Sequence, residues 1–207
     1  MKSPLRLLVV ASLLSLAACS ILPQGEPSDV YRLPVHQASH TATPVNWSLR
    51  LNKPLASEAL SGSRIAVIPA GDVISSYKGA RWSDPVPLLV RNRLLDAFQR
   101  DGRVQRLSAD DSNLQADYEL VGELQAFQSE YGSAGVDVVI RYDARLVQGR
   151  SQRILASQRF EVRQPLSDRQ VPAVVSGFGA AGDTLARQVV DWTVTQASGF
   201  QAQAKNQ

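Results

Sequence analysis

One thiol, two imidazoles and one glycine-rich hexapeptide are the groups in this 207-residue chain whose types and spacing invite chemistry. His36 and His40 stand four apart, a spacing that puts two nitrogens on one metal when the segment is helical. Pro34, Pro44 and the Thr-containing surroundings disfavour a helix there, and no carboxylate pair lies nearby in the sequence. They read as solvated loop histidines, and no metal is expected. A serine nucleophile would need one of the same two histidines and a G-x-S-x-G elbow, which the sequence lacks. Gly177-Phe178-Gly179-Ala180-Ala181-Gly182 spells G-x-G-x-x-G, but a dinucleotide site needs it in a strand-to-helix turn with a strand and an acidic residue beyond. Fewer than 30 residues remain after it, so the glycines are read as a place where a helix lies close against a sheet or another helix. Asp110, Asp111, Asp117 and Glu119 read as turn and surface residues. The chain is expected not to be an enzyme.

Cys19 is different. Met1 to Arg6 supply a short cationic start, Leu7 to Leu16 an apolar run, and Leu16, Ala17 and Ala18 lead directly into the thiol. That is the pattern of a secretory signal, and its apolar run is too short for a spanning helix, which needs about 20 residues. The small-small-Cys ending resembles the bacterial lipoprotein signal. Cleavage before Cys19 would leave a cysteine carrying diacylglycerol on sulfur and an acyl chain on nitrogen; no other cofactor is expected. A lone exported thiol can form no internal disulfide, and two or more acyl chains anchor stably where one is marginal. Ser20, rather than Asp, follows the cysteine, which in proteobacterial lipoproteins goes with the outer membrane. The expected location is therefore the outer membrane, lipid-anchored and facing the periplasm.

Loss of residues 1–18 removes Lys2 and Arg6 and lowers the formal charge from +3 to +1. A near-neutral mature chain with mixed signs lacks the clustered basic face that nucleic acid requires. Residues 19–29, with Pro23 and Pro27, read as an acylated N-terminus and tether. Residues 30–198 read as one domain, and residues 199–207 as a flexible polar tail.

The elements follow from periodicity. Short strands are predicted at Val30–Leu33, Val45–Asn52 and Arg64–Ile68, the last apolar enough to be buried on both faces. Residues 70–84 read as a loop with exposed Tyr77 and Trp82. A helix is predicted to start with Asp84 as its cap and Pro85 in the first position, carry Leu88, Leu89, Leu94, Leu95 and Phe98 as a stripe, and end at Gly102. Strand and turn follow over 104–115, then a three-strand antiparallel meander over about 118–162. From Val171 to Gln196 apolar residues advance by three and four, giving a long helix with a narrow seam open to core packing or to self-association. The fold class is α+β: a mixed or antiparallel sheet covered by two main helices, in one domain.

Arg81-Trp82-Ser83-Asp84-Pro85 has the composition of an interaction hot spot, so Arg81, Trp82, Asp84 and Pro85 are candidate partner contacts. Packing of Trp82 on the helix start is the equal alternative. This segment carries a resemblance, together with the lipoprotein signal, Tyr31-Arg32-Leu33, Ile65-Ala66-Val67, and Phe160-Glu161-Val162 before a Trp-containing helix. Their order resembles the ABC-type transport auxiliary lipoproteins over almost the whole mature chain. Asp84 and Val86 stand where Glu and Leu are more usual. The resemblance implies a non-enzymatic auxiliary component of an intermembrane lipid transport system, whose partners are an ABC permease and ATPase and an MCE-domain protein. Only Cys19 carries over as a defined functional position. The competing reading is a structural or assembly lipoprotein supporting a cell-wall synthase or secretion complex. Replacing Cys19 by Ala is expected to abolish labelling by radioactive palmitate and leave unprocessed precursor; unchanged labelling would contradict the anchor.

Overall fold

The computed structural model describes residues 27–35, 43–112, 114–133 and 135–205. Leu16, Ala17, Ala18, Cys19, His36 and His40 lie outside them. The described residues form one mixed nine-stranded sheet and three helices, as the α+β reading expects.

The spine is a meander of three long strands, β7 (Tyr118–Gly132), β8 (Gly135–Gln148) and β9 (Arg153–Leu166), paired antiparallel. Its alternation is what the sequence predicts, with one interruption. Leu124 pairs with Tyr142 and Ala126 with Arg141, so Gln125 is an extra residue. This bulge moves the inward set from Leu120 and Leu124 to Phe127, which lets β7 run six residues beyond Ala126.

The other edge of β7 is shared end to end by three short parallel strands: β2 (Ser48–Leu51), β3 (Leu55–Ala56) and β4 (Arg64–Ile68). β6 (Arg106–Ala109) lies parallel outside β2. β5 (Ser75–Trp82) is antiparallel to β4, and β1 (Asp29–Tyr31) is parallel to β5 at the sheet edge. Ile65, Ala66 and Val67 are all buried, which matches the reading of β4 as a two-sided core strand. β5 corrects the loop reading of residues 70–84. Its polar residues hide a strand because it is exposed along most of its length and interrupted at Gly79, whose φ of +65° breaks the alternation.

Short α1 (Glu58–Ser61) precedes β4, while α2 (Val86–Asp101) and α3 (Val171–Lys205) cover one face. α2 begins one residue later than predicted. Pro85, not Asp84, takes the cap position, and the Asp84 carboxylate accepts from the Ser83 hydroxyl at 2.8 Å. Gly102 closes the helix at φ +75°, its N–H donating to Phe98 O at 3.2 Å. α3 does not stop at Ser198; it continues to Lys205, and Gln201 donates to Asn46 O at 3.3 Å. The G-x-G-x-x-G hexapeptide lies within this helix, six residues past its start, and not in the strand-to-helix turn itself. A Cβ on Gly177 would run into Leu166 and Val138, so the missing side chain brings α3 down onto the sheet. The seam is thus spent inside the molecule. No helix among the described residues is long and apolar enough to cross a membrane.

Between the helices Arg93 meets Asp183, with side chains only 5% and 7% exposed. Such a pair adds little net stability, but removing either partner strands a buried charge. Two further carboxylates tie the sheet rim. Asp117 accepts from Ser48 N–H at 2.8 Å and from the Ser48 hydroxyl at 2.7 Å. Asp110 accepts from Arg91 at 2.5 Å and Lys53 N–H at 3.1 Å. Burial would raise both carboxyls, but the hydrogen bonds and nearby guanidinium charge outweigh it and hold both below the ordinary range.

A depressed folded-state carboxyl contributes its stability above the unfolded value of about 4 and loses it as pH falls through the lower folded value. Stability is therefore expected to be level above about pH 5 and to decline in acid. Asp117→Ala is expected to cost about 1–3 kcal/mol at pH 7 in urea unfolding, and less at pH 3. An equal loss at both pH values would contradict the assignment.

Candidate functional site

The predicted contact segment spans the end of β5 and the start of α2, and alternation decides what each side chain does. Trp82 turns inward and is 0% exposed. Its ring meets Phe178 of α3 edge-on at 5.2 Å and Phe127 of β7 at 6.0 Å, while Phe127 and Phe178 stack at 4.6 Å. This corrects the exposed reading of Trp82: it offers no surface to a partner and joins β5, β7 and α3 in the core. Three backbone bonds lock the segment. Trp82 N–H donates to Ser63 O at 2.7 Å, Ser83 N–H to Tyr31 O at 2.8 Å, and Val86 N–H to Gly62 O at 3.0 Å.

Arg81 points the other way and is exposed. Across the pairing it stands opposite Val30 of β1 on one side and Arg64 of β4 on the other. Two guanidinium-bearing residues directly opposite each other on adjacent strands repel, and such pairs are ordinarily avoided. Arg32, one residue past β1, is exposed as well. Among the described residues none of Arg32, Arg64 and Arg81 forms an ion pair. Arg64 also lines an open groove, together with Ser57, Glu58, Ser61, Ile74 and Ser75. Pro85 is exposed and Asp84 half-buried.

The meander's outer face makes the contrast. There Arg159 meets Asp143 at 2.6 Å, Arg141 meets Glu161 at 2.7 Å, and Arg163 meets Glu161 and Glu130 at 3.0 Å. Hydrogen bonding from Arg159 holds the Asp143 carboxyl below its ordinary value, against a small opposing effect of burial. That face neutralises itself, whereas the Arg64–Arg81 corner has no ion pair among the described residues. The Arg64 guanidinium and the serine hydroxyls can donate to carboxylate or phosphate oxygens, against the opposing charge of Glu58. Among the described residues no group of three or more His, Cys, Asp or Glu is placed to hold a metal ion.

Arg32 and Arg64 were not singled out by their sequence. Arg64 heads an apolar strand, but its opposition to Arg81 depends on β4–β5 pairing, which a loop reading of 70–84 conceals.

Known proteins share this architecture. The family model described as ABC-type transport auxiliary lipoprotein component matches residues 31–190. A protein of Bradyrhizobium diazoefficiens, uncharacterized protein bll6063, is 30% identical over 155 residues, which are 74% of this chain. The match spans 41% of that relative's length. The crystal structure of protein XCC0632 from Xanthomonas campestris superposes with a TM-score of 0.77 at 27% identity, covering 84% of this chain and 99% of that one. Another crystal structure, of an uncharacterized protein, gives 0.62 at 15% identity over 80% of this chain and 98% of its own, a likeness of fold alone.

Truncating a fully buried aromatic removes its packing and leaves a cavity. Trp82→Ala is expected to lower unfolding stability by about 3–5 kcal/mol, and Arg81→Ala to change it by less than about 0.5 kcal/mol, both read by urea titration. Similar small losses for the two variants would contradict this division of roles.

Proposed function

Because the chain belongs to the ABC-type transport auxiliary lipoprotein component family, we propose that it is a non-catalytic subunit held at the outer membrane by the acylated Cys19, where it docks the periplasmic MCE-domain protein of an ABC-type lipid transport system. The observation that carries this reading is the open charge of Arg64 and Arg81, beside the strand through which the tether enters the fold. Two like charges set opposite each other on adjacent strands, with no ion pair to either among the described residues, suit an acidic partner surface.

The anchor and the corner have separate tasks. Acyl chains on Cys19 confine the domain to one leaflet, which raises its effective concentration for any partner at that membrane without adding a contact. The Arg corner then supplies orientation, since rim charges govern encounter and register more than affinity. Exposed Pro85 borders the same surface. Trp82 holds the corner in place from beneath and takes no part in the contact.

The test is recovery of partners from crosslinked native membranes. The double variant Arg64→Glu/Arg81→Glu is expected to lose most of the MCE-domain protein and permease recovered with the unaltered chain. Arg153→Glu, an exposed change at the far end of the meander, is expected to retain them. Unfolding curves of both variants control for folding. Undiminished recovery from the double variant would contradict the corner. Recovery of a cell-wall synthase or secretion complex in place of the transporter would favour the assembly reading.

A further inference from the structure

The turn joining β4 to β5 presents two adjacent aliphatic side chains to solvent, Val73 at 64% and Ile74 at 43% exposure. The turn is held, since Val73 N–H donates to Ala70 O at 3.3 Å and Gly71 takes φ +54°. Asp72 beside them is exposed as well. Exposed aliphatic side chains are common on folded surfaces, so it is the place of this turn that marks it.

β1 runs parallel to β5, with Asp29 opposite Ala80. The chain upstream of Asp29 therefore leaves toward the end of β5 at which this turn stands. Ile74 lies six residues before Ala80, so the turn projects about 20 Å beyond Asp29 in that direction. Ten residue steps separate Asp29 from Cys19, a reach of at most about 33–36 Å. A tether drawn straight out along β5 clears the turn by no more than roughly 15 Å. Ile154, another exposed aliphatic at 55%, stands at the other end of the meander opposite Val147. That end is about 36 Å from the Ile68–Glu130 pairing at the base of the turn.

We propose that Val73 and Ile74 form a membrane-contact element that seats in the interfacial layer of the same leaflet that holds the acyl chains. The proposal rests on acylation of Cys19. The anchor brings the turn to the bilayer, and the two aliphatic side chains set which end of the domain faces it. Asp72 stays at headgroup level, and the Arg64–Arg81 corner, further along β5, remains free for a protein partner.

The test uses the full-length acylated protein in phosphatidylethanolamine/phosphatidylglycerol vesicles. With Cys19 blocked by its lipid, Val73→Cys and, separately, Ile154→Cys each carry one reactive thiol for an environment-sensitive nitrobenzoxadiazole probe. The probe at 73 is expected to shift to shorter wavelength and lose intensity with spin-labelled lipid, while the probe at 154 does neither. Equal responses at the two positions in a chain whose intact mass shows acylation would overturn the membrane-contact turn alone. A mass showing unmodified Cys19 would overturn the anchor, and the turn's contact with it.

Discussion

The pairing of β1 with β5 is the constraint on which the rest depends. It is short, three residues against three, yet it is what ties the first described residues to the folded body. Ser83 N–H extends it by bonding Tyr31 O at 2.8 Å, and Tyr31 and Leu33 pack against the core. A three-residue strand has little stability alone, so its order comes from the surface it lands on. That surface is fixed by Trp82, whose indole packs edge-on against the stacked Phe127 and Phe178 rings. Strand alternation then forces Arg81 outward, so one local geometry fastens β1, fills the core and displays the charge.

The wider architecture serves that joint. β7 accepts four strands along its length, which three short parallel segments can do only because the Gln125 bulge resets its inward face midway. α3 settles onto the meander through Gly177, and the Arg93–Asp183 pair links it to α2. Charge is managed differently on each surface. Exposed pairs such as Arg159–Asp143 contribute at most about 1 kcal/mol each, so their ladder matters chiefly by making the meander's outer face self-neutral. The corner at Arg64 and Arg81 stands out against that background.

Much of this was legible in the sequence where periodicity was strong. The alternation in Tyr118–Leu124 and Val136–Leu146, the stripe of α2 with Gly102 beyond it, and the seam of α3 each announce their element. Three features were not. β5 is mostly polar and carries a positive-φ glycine, so its strand character comes from its neighbours. Trp82 looked exposed because its burial depends on Phe178, nearly a hundred residues away. The last turns of α3 are polar, and contacts such as Gln201 to Asn46 extend the helix where local composition suggested an end. The motif Arg-Trp-Ser-Asp-Pro was rightly marked as unusual, but only the pairing partners separate its packing residue from its displayed one.

The most direct measurement of the central claim is amide hydrogen exchange across residues 29–33 and 80–83 in the intact protein. The account predicts that both stretches exchange slowly and open together, since one pairing holds them. Rapid exchange at residues 29–33 beside a protected β5 would mean that β1 is not fastened to the core, and would contradict the account at its base.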